Sequence, residues 1–215
     1  IFLSFYKNSK ITNKNTSTNT NVRTYKEFVS DLKFLQAMVA ATFGYVVMAF
    51  LMTATPISMH YVHKLSVDEV GLVIQFHVLG MFLPSLFTGN LIKRFGFSKI
   101  MYMGVFFYAL TISLSLFEQT FINYFASLIF LGIGWNFLYI SGTSLLVTTY
   151  NDQEKFKAQG FNDLIVFSAT AIGSLSAGIL ISLLSWKIVN FMCIPFLIII
   201  LFVILRADIK KAPAN

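Results

Sequence analysis

Gly132, Asn136, Tyr139 and Thr143 are spaced four, three and four residues apart. In a helix that spacing puts them on one face. An amide, a phenol and a hydroxyl on one stripe can hydrogen-bond a solute. They can equally bond a neighbouring helix, because Gly132, Gly134, Ser141, Gly142 and Ser144 allow close approach there. Weaker copies of the pattern recur. Asp163, Thr170, Ser174 and Gly178 lie close to one helical face, Thr42, Gly44 and Tyr45 share one apolar run, and Gln75, His77 and Gly80 share another. The candidate solute ligands are therefore Asn136, Tyr139, Tyr45, Gln75, His77 and Thr170.

Other residue types point to different chemistry. His60 and His63 form an H-x-x-H pair, but no acidic residue completes the motif as a metal site. Asp68 and Glu69 nearby read as charges at a helix start. His77 is the one titratable group well inside an apolar run; it is either a neutral histidine bonded to a neighbouring helix or a coupling group. Cys193, the single cysteine, excludes an internal disulfide and reads as a small buried hydrophobe. No catalytic constellation is visible, so no catalytic residue, metal or cofactor is expected.

The elements that must position these residues follow from composition. The chain has 215 residues, 56% hydrophobic and 12% charged, with a mean hydropathy of +0.73. Soluble domains carry about 25% charged residues. A water-soluble enzyme, a disordered chain and a nucleic-acid binder are all disfavoured. Residues 7–33 are polar and rich in Asn and Thr, as a linker would be. Six uncharged apolar runs follow: 34–56, 70–92, 100–117, 122–147, 164–184 and 188–205. Each is long enough to cross roughly 30 Å of hydrocarbon as a helix. Ser66-Val67-Asp68-Glu69 is a capping box ahead of the second, and Pro84 and Pro195 predict kinks.

Charge predicts orientation. With six spans, all basic residues except Lys64 and Lys187 fall on one side. By the positive-inside rule that side is cytoplasmic and holds both termini. The net charge of +7 is thereby accounted for without a nucleic-acid partner. The third and sixth runs have few polar groups, whereas the first, second, fourth and fifth carry most of them. A three-plus-three period of this kind is what nested inverted repeats produce, with the third and sixth facing lipid.

The residues after the second run, Gly89-Asn90-Leu91-Ile92-Lys93-Arg94-Phe95-Gly96-Phe97-Ser98-Lys99, carry a resemblance. They are similar to the loop signature G-x-L-x-D-R-x-G-R-R/K of the major facilitator superfamily of secondary transporters. Gly89, Leu91, Arg94, Gly96 and Lys99 fit the signature, and Lys93 stands where the family has Asp. That loss is more typical of the family's second half. Leu131-Gly132-Ile133-Gly134-Trp135-Asn136 resembles the family's G-x-G run, without the basic residue of first halves. Gly178-Ile179-Leu180 followed by Ser185-Trp186-Lys187 resembles its G-x-L…G-W-R stretch.

The resemblance implies an all-α membrane protein: six transmembrane helices in a 3+3 inverted repeat, an MFS-like half bundle. It implies alternating-access transport of a small solute, with the first and fourth helices lining the cavity and the second and fifth at the seam. The expected layout is the end of a preceding helix plus a cytoplasmic linker over 1–33, the bundle over 34–206, and a short cytoplasmic tail over 207–215. The chain starts at Ile1, as a C-terminal piece cut inside its sixth helix would. The expected partners are the solute, the lipid bilayer and a missing N-terminal six-helix half, and the expected location is the plasma (inner) membrane. A membrane-embedded enzyme using His60 and His63, and a non-transporting receptor or scaffold, are the alternatives.

Overall fold

The computed structural model describes residues 22–211. The expected end of a preceding helix at residues 1–6, most of the linker, and residues 212–215 lie outside the described residues. The described residues contain helices and no strand. They are α1 (Tyr25–Ser30), α2 (Leu32–Ile57), α3 (Val67–Phe82), α4 (Ser85–Phe95), α5 (Phe97–Leu114), α6 (Phe121–Val147), α7 (Lys155–Leu183), α8 (Trp186–Phe191) and α9 (Ile194–Lys211). A π-helical turn, Ser58–Val62, extends α2. Six spans are long and apolar enough to cross a membrane. The first is α2 with its π turn, the second α3–α4, the third α5, the fourth α6, the fifth α7 and the sixth α8–α9.

Local chemistry sets the starts and breaks. The capping box at Ser66 forms: its hydroxyl accepts from the Glu69 N–H, and the Glu69 carboxylate accepts from the Ser66 N–H at 2.8 Å. Asp31 and Thr120 cap α2 and α6 through side-chain oxygens. The second span breaks at Leu83-Pro84 and the sixth at Met192-Cys193, just before Pro195. Gly96, between α4 and α5, has φ +85°, a backbone region that favours glycine because it lacks Cβ.

Several boundaries differ from the sequence reading. The first helix passes Pro56 and runs to the π turn, where the His63 N–H bonds the Ser58 carbonyl at 3.0 Å. The polar stretch before Leu164 belongs to the fifth helix, which begins at Lys155. Residues 24–30 form a capped helix rather than linker, because Phe28 is buried and stacks on Phe34 at 4.9 Å. Residues up to Lys211 continue α9 instead of forming a tail. Asp208 holds that last turn in place by accepting from Ser98 Oγ at 2.6 Å and from Tyr102 Oη at 3.1 Å.

Packing partners exchange when the first span is swapped for the fourth, the second for the fifth and the third for the sixth. The second and third spans pack on the fourth, as the fifth and sixth pack on the first. The first packs on the fourth, and the third on the sixth. This is the contact pattern of two inverted three-helix units. The first and fourth spans form the core. Gly132 permits the closest crossing: a Cβ there would stand 2.6 Å from the His77 carbonyl oxygen on the second span. Polarity and exposure do not run in parallel here. The third and sixth spans are not the most exposed in this bundle, and their interface carries the Ser98–Asp208–Tyr102 bonds. The second and fifth are the most exposed, since each packs mainly along one neighbour, the fourth and the first respectively.

Candidate functional site: an aromatic face on the first, fourth and fifth spans

Tyr45 on α2, Trp135 and Tyr139 on α6, and Phe167 on α7 meet on one side of the bundle. Trp135 and Tyr139 are four residues apart, so they stand one above the other on α6. Their rings stack with centroids 5.1 Å apart and an interplanar angle of 12°. Tyr45 presents its ring edge-to-face with both, at 5.5 Å from Trp135 and 5.2 Å from Tyr139. Phe167 adds an edge contact to Tyr45 at 6.1 Å, and Phe82 of the second span reaches Trp135 at 6.2 Å. Phe82 and Phe167 flank the cluster and are 60% and 54% exposed. Tyr45 and Tyr139 are half-buried, and Trp135 is only 5% exposed.

Polar groups at this face are few. The Trp135 Nε1–H is buried and donates to no acceptor among the described residues. Thr170, three residues beyond Phe167 on the same side of α7, also has a buried hydroxyl without a partner there. Asp163, one turn before Phe167, is exposed. The open parts of Phe82, Phe167, Tyr45 and Tyr139 are aromatic surface on which a flat ring can stack.

The structure therefore separates the six candidate ligands. Tyr45, Tyr139 and Thr170 share the face. Gln75 is exposed on the stripe of α3 that continues through Leu79 to Phe82, so it stands two turns outward of the cluster. His77 points the other way: it is fully buried, with Nδ1 bonded to the Leu128 carbonyl of α6 at 2.7 Å. Asn136 is also fully buried and is spent inside the protein. Its Nδ2 donates to the Met81 carbonyl at 2.7 Å and to Ser85 Oγ at 2.6 Å. Its Oδ1 accepts from Thr88 Oγ1 at 2.6 Å, a hydroxyl proton shared with the Pro84 carbonyl. Asn136 thus splints the break in the second span and has no free group for a solute. Its spacing with Tyr139 was a true helical relation, but the two side chains diverge to different neighbours.

Trp135, Phe82 and Phe167 were missed by a search for hydrogen-bonding side chains. The signal available was aromatic: Trp135 and Tyr139 sit at helical spacing four in a glycine-rich helix. His60 and His63 are engaged locally, His60 Nδ1 with the Leu65 carbonyl at 3.0 Å and His63 Nδ1 with Ser58 and Tyr124.

A family model described as Major Facilitator Superfamily matches residues 37–215. The chain belongs to that superfamily. It is 40% identical over 190 residues to a riboflavin transporter, RfnT, of Brucella anthropi, an alignment that covers 88% of this chain and 48% of that protein. It is 34% identical over 139 residues to the uncharacterized MFS-type transporter YdeG of Bacillus subtilis, covering 64% of this chain and 32% of YdeG. A second B. subtilis MFS-type transporter, YddS, is 32% identical over 147 residues, covering 67% and 33%. The chain spans half or less of the length of the curated relatives it matches. It is an integral membrane protein of an all-helical superfamily.

The facilitator loop signature has a visible geometry here. Gly96 is the positive-φ turn between α4 and α5, whereas Gly89 and Arg94 are exposed. Leu91 is half-buried, and Lys99 is exposed in the first turn of α5. Nearby, at the same basic end, a clasp ties the segment before α1 to the loop before α7. Arg23 Nε donates to Glu154 at 2.8 Å, and its NH1 reaches Asp31 at 3.3 Å. Lys157 Nζ donates to the Arg23 carbonyl at 2.6 Å. The Arg23 hydrogen bond holds the Glu154 carboxyl down at about 2. A lowered carboxyl pKa stabilises the fold above its unfolded value, about 4.5, and that contribution fades as pH falls toward 2. Thermal unfolding should therefore show wild type losing stability over that acid window, and Glu154→Gln losing less there while being weaker at neutral pH. Equal acid slopes for the two proteins would remove the clasp from the account.

Proposed function

We propose that this chain is the second six-helix half of a secondary carrier that moves a small, flat, ring-bearing solute by alternating access. The observation that carries the reading is the aromatic face. Five rings from four spans gather on one side of the bundle, two of them more than half exposed. The least-buried second and fifth spans flank that side, as a seam awaiting another bundle would require. An N-terminal six-helix half is the proposed partner, closing over Tyr45, Trp135 and Tyr139. The basic end, carrying both ends of the described chain, faces the cytoplasm by the positive-inside rule. The proposed location is the plasma (inner) membrane.

Riboflavin is the solute to test first. A relative 40% identical is named for it, and its tricyclic ring suits stacking on the open surface of Tyr45, Tyr139 and Phe167. The rings in contact there are uncharged, which fits an uncharged ring system. The test is uptake of labelled riboflavin by the full-length protein in proteoliposomes. Saturable accumulation, competed by lumichrome and not by ribitol, is expected. Absence of saturable uptake of any flat heteroaromatic solute would overturn the reading.

A further inference from the structure

We propose a binding site for the headgroup of an anionic membrane phospholipid at the basic end, between the start of α2 and the end of α9. Two adjoining depressions lie there, with volumes of about 500 and 550 Å³. They share Ser30, Leu32 and Lys210, and Lys33 and Arg206 complete the rim. Lys33, Arg206 and Lys210 are all exposed, and none has a carboxylate within ion-pair distance among the described residues.

Two carboxylates lie beside these cations, Asp31 on the wall of the first depression and Asp208 on α9. Asp31 accepts from the Lys33 and Phe34 backbone N–H groups and pairs with Arg23. Asp208, on the same turns of α9 as Arg206 and Lys210, is bonded to Ser98 and Tyr102 on α5. Three cations against these two carboxylates, one of them shared with Arg23, leave the groove net positive where α2 enters and α9 leaves the apolar layer.

Below the cations the surface turns apolar. Phe202 and Leu205 are exposed on α9 before Arg206, and the Arg206 guanidinium lies 5.2 Å from the Phe202 ring centroid. A cationic rim directly above an apolar strip matches a phosphate joined to acyl chains. A free phosphate would leave the strip unused. Basic residues at such a boundary attract anionic lipid additively.

The experiment is native mass spectrometry of the full-length protein delipidated and re-exposed to phosphatidylglycerol or phosphatidylcholine. Wild type should retain phosphatidylglycerol selectively. R206Q/K210Q should weaken retention about thirtyfold, two surface charges' worth. The charge-keeping R206K/K210R should retain it, which separates lost charge from lost fold. K26Q/K155Q, which removes two cations at the same end outside the groove, should match wild type. Millimolar inorganic phosphate should not displace the lipid. Equal losses in R206Q/K210Q and K26Q/K155Q, displacement by phosphate, or failure of R206K/K210R to retain the lipid would each overturn the site. None of these readouts depends on transport.

Discussion

Replacing Gly132 with valine should leave little folded protein. The added Cβ alone would stand 2.6 Å from the His77 carbonyl oxygen and 2.9 Å from the Gly80 carbonyl carbon and the Met81 nitrogen. All three are backbone atoms, so no side-chain rotation relieves the contact. The second and fourth spans would have to part, stretching the 2.7 Å bond from His77 to Leu128. Forced overpacking of this kind costs about 1–3 kcal/mol or more, and membrane helices depend on close packing for association. Size-exclusion yield and thermal unfolding in detergent check this. Gly160→Ala is the control, since a Cβ there meets nothing within 4 Å. A Gly132→Val protein as stable as Gly160→Ala would show that the crossing is not this close.

Asn136→Ala should change transport rate and leave solute affinity within a factor of about two. The side chain makes three hydrogen bonds, all across the break at Pro84. Removing it takes this partner from the Met81 carbonyl and the Ser85 hydroxyl, while the Thr88 hydroxyl keeps the Pro84 carbonyl. Interhelical bonds in membranes average about 0.6 kcal/mol each, so a stability loss of about 1–3 kcal/mol is expected when buried groups also go unpaired. The second span then hinges more freely, which alters the rate of the conformational step. Initial rates against solute concentration separate the two effects. A large rise in KM with unchanged maximal rate would return Asn136 to the solute site.

The fold was legible because lipid leaves the backbone few options. An uncharged run longer than about 18 residues must be a helix, and the loop charges then order the runs. What escaped was whatever depends on a partner in space. Asp208 reads as a tail charge until Ser98 and Tyr102 are seen facing it. Arg23 reads as linker until Glu154, 131 positions away, meets it. The same limit split the site. Asn136 and Tyr139 share a helical stripe, yet one fills its bonding capacity at Pro84 and the other stacks on Trp135. Spacing fixes which side a residue leaves from; whether its polar atoms are already taken depends on the neighbour. His77, open between two roles in the sequence, is bonded to the Leu128 carbonyl for the same kind of reason.

The central claim is that solute binds on Tyr45, Trp135 and Tyr139, not on Asn136. Equilibrium binding of riboflavin to the purified full-length protein tests it most directly, because it reads affinity without the conformational step. Each aromatic contact is worth about 0.5–1.5 kcal/mol, so Tyr45→Ala/Tyr139→Ala should raise Kd by about fivefold or more. Asn136→Ala should bind as wild type does. An unchanged Kd in Tyr45→Ala/Tyr139→Ala, with binding lost in a folded Asn136→Ala protein, would contradict the account.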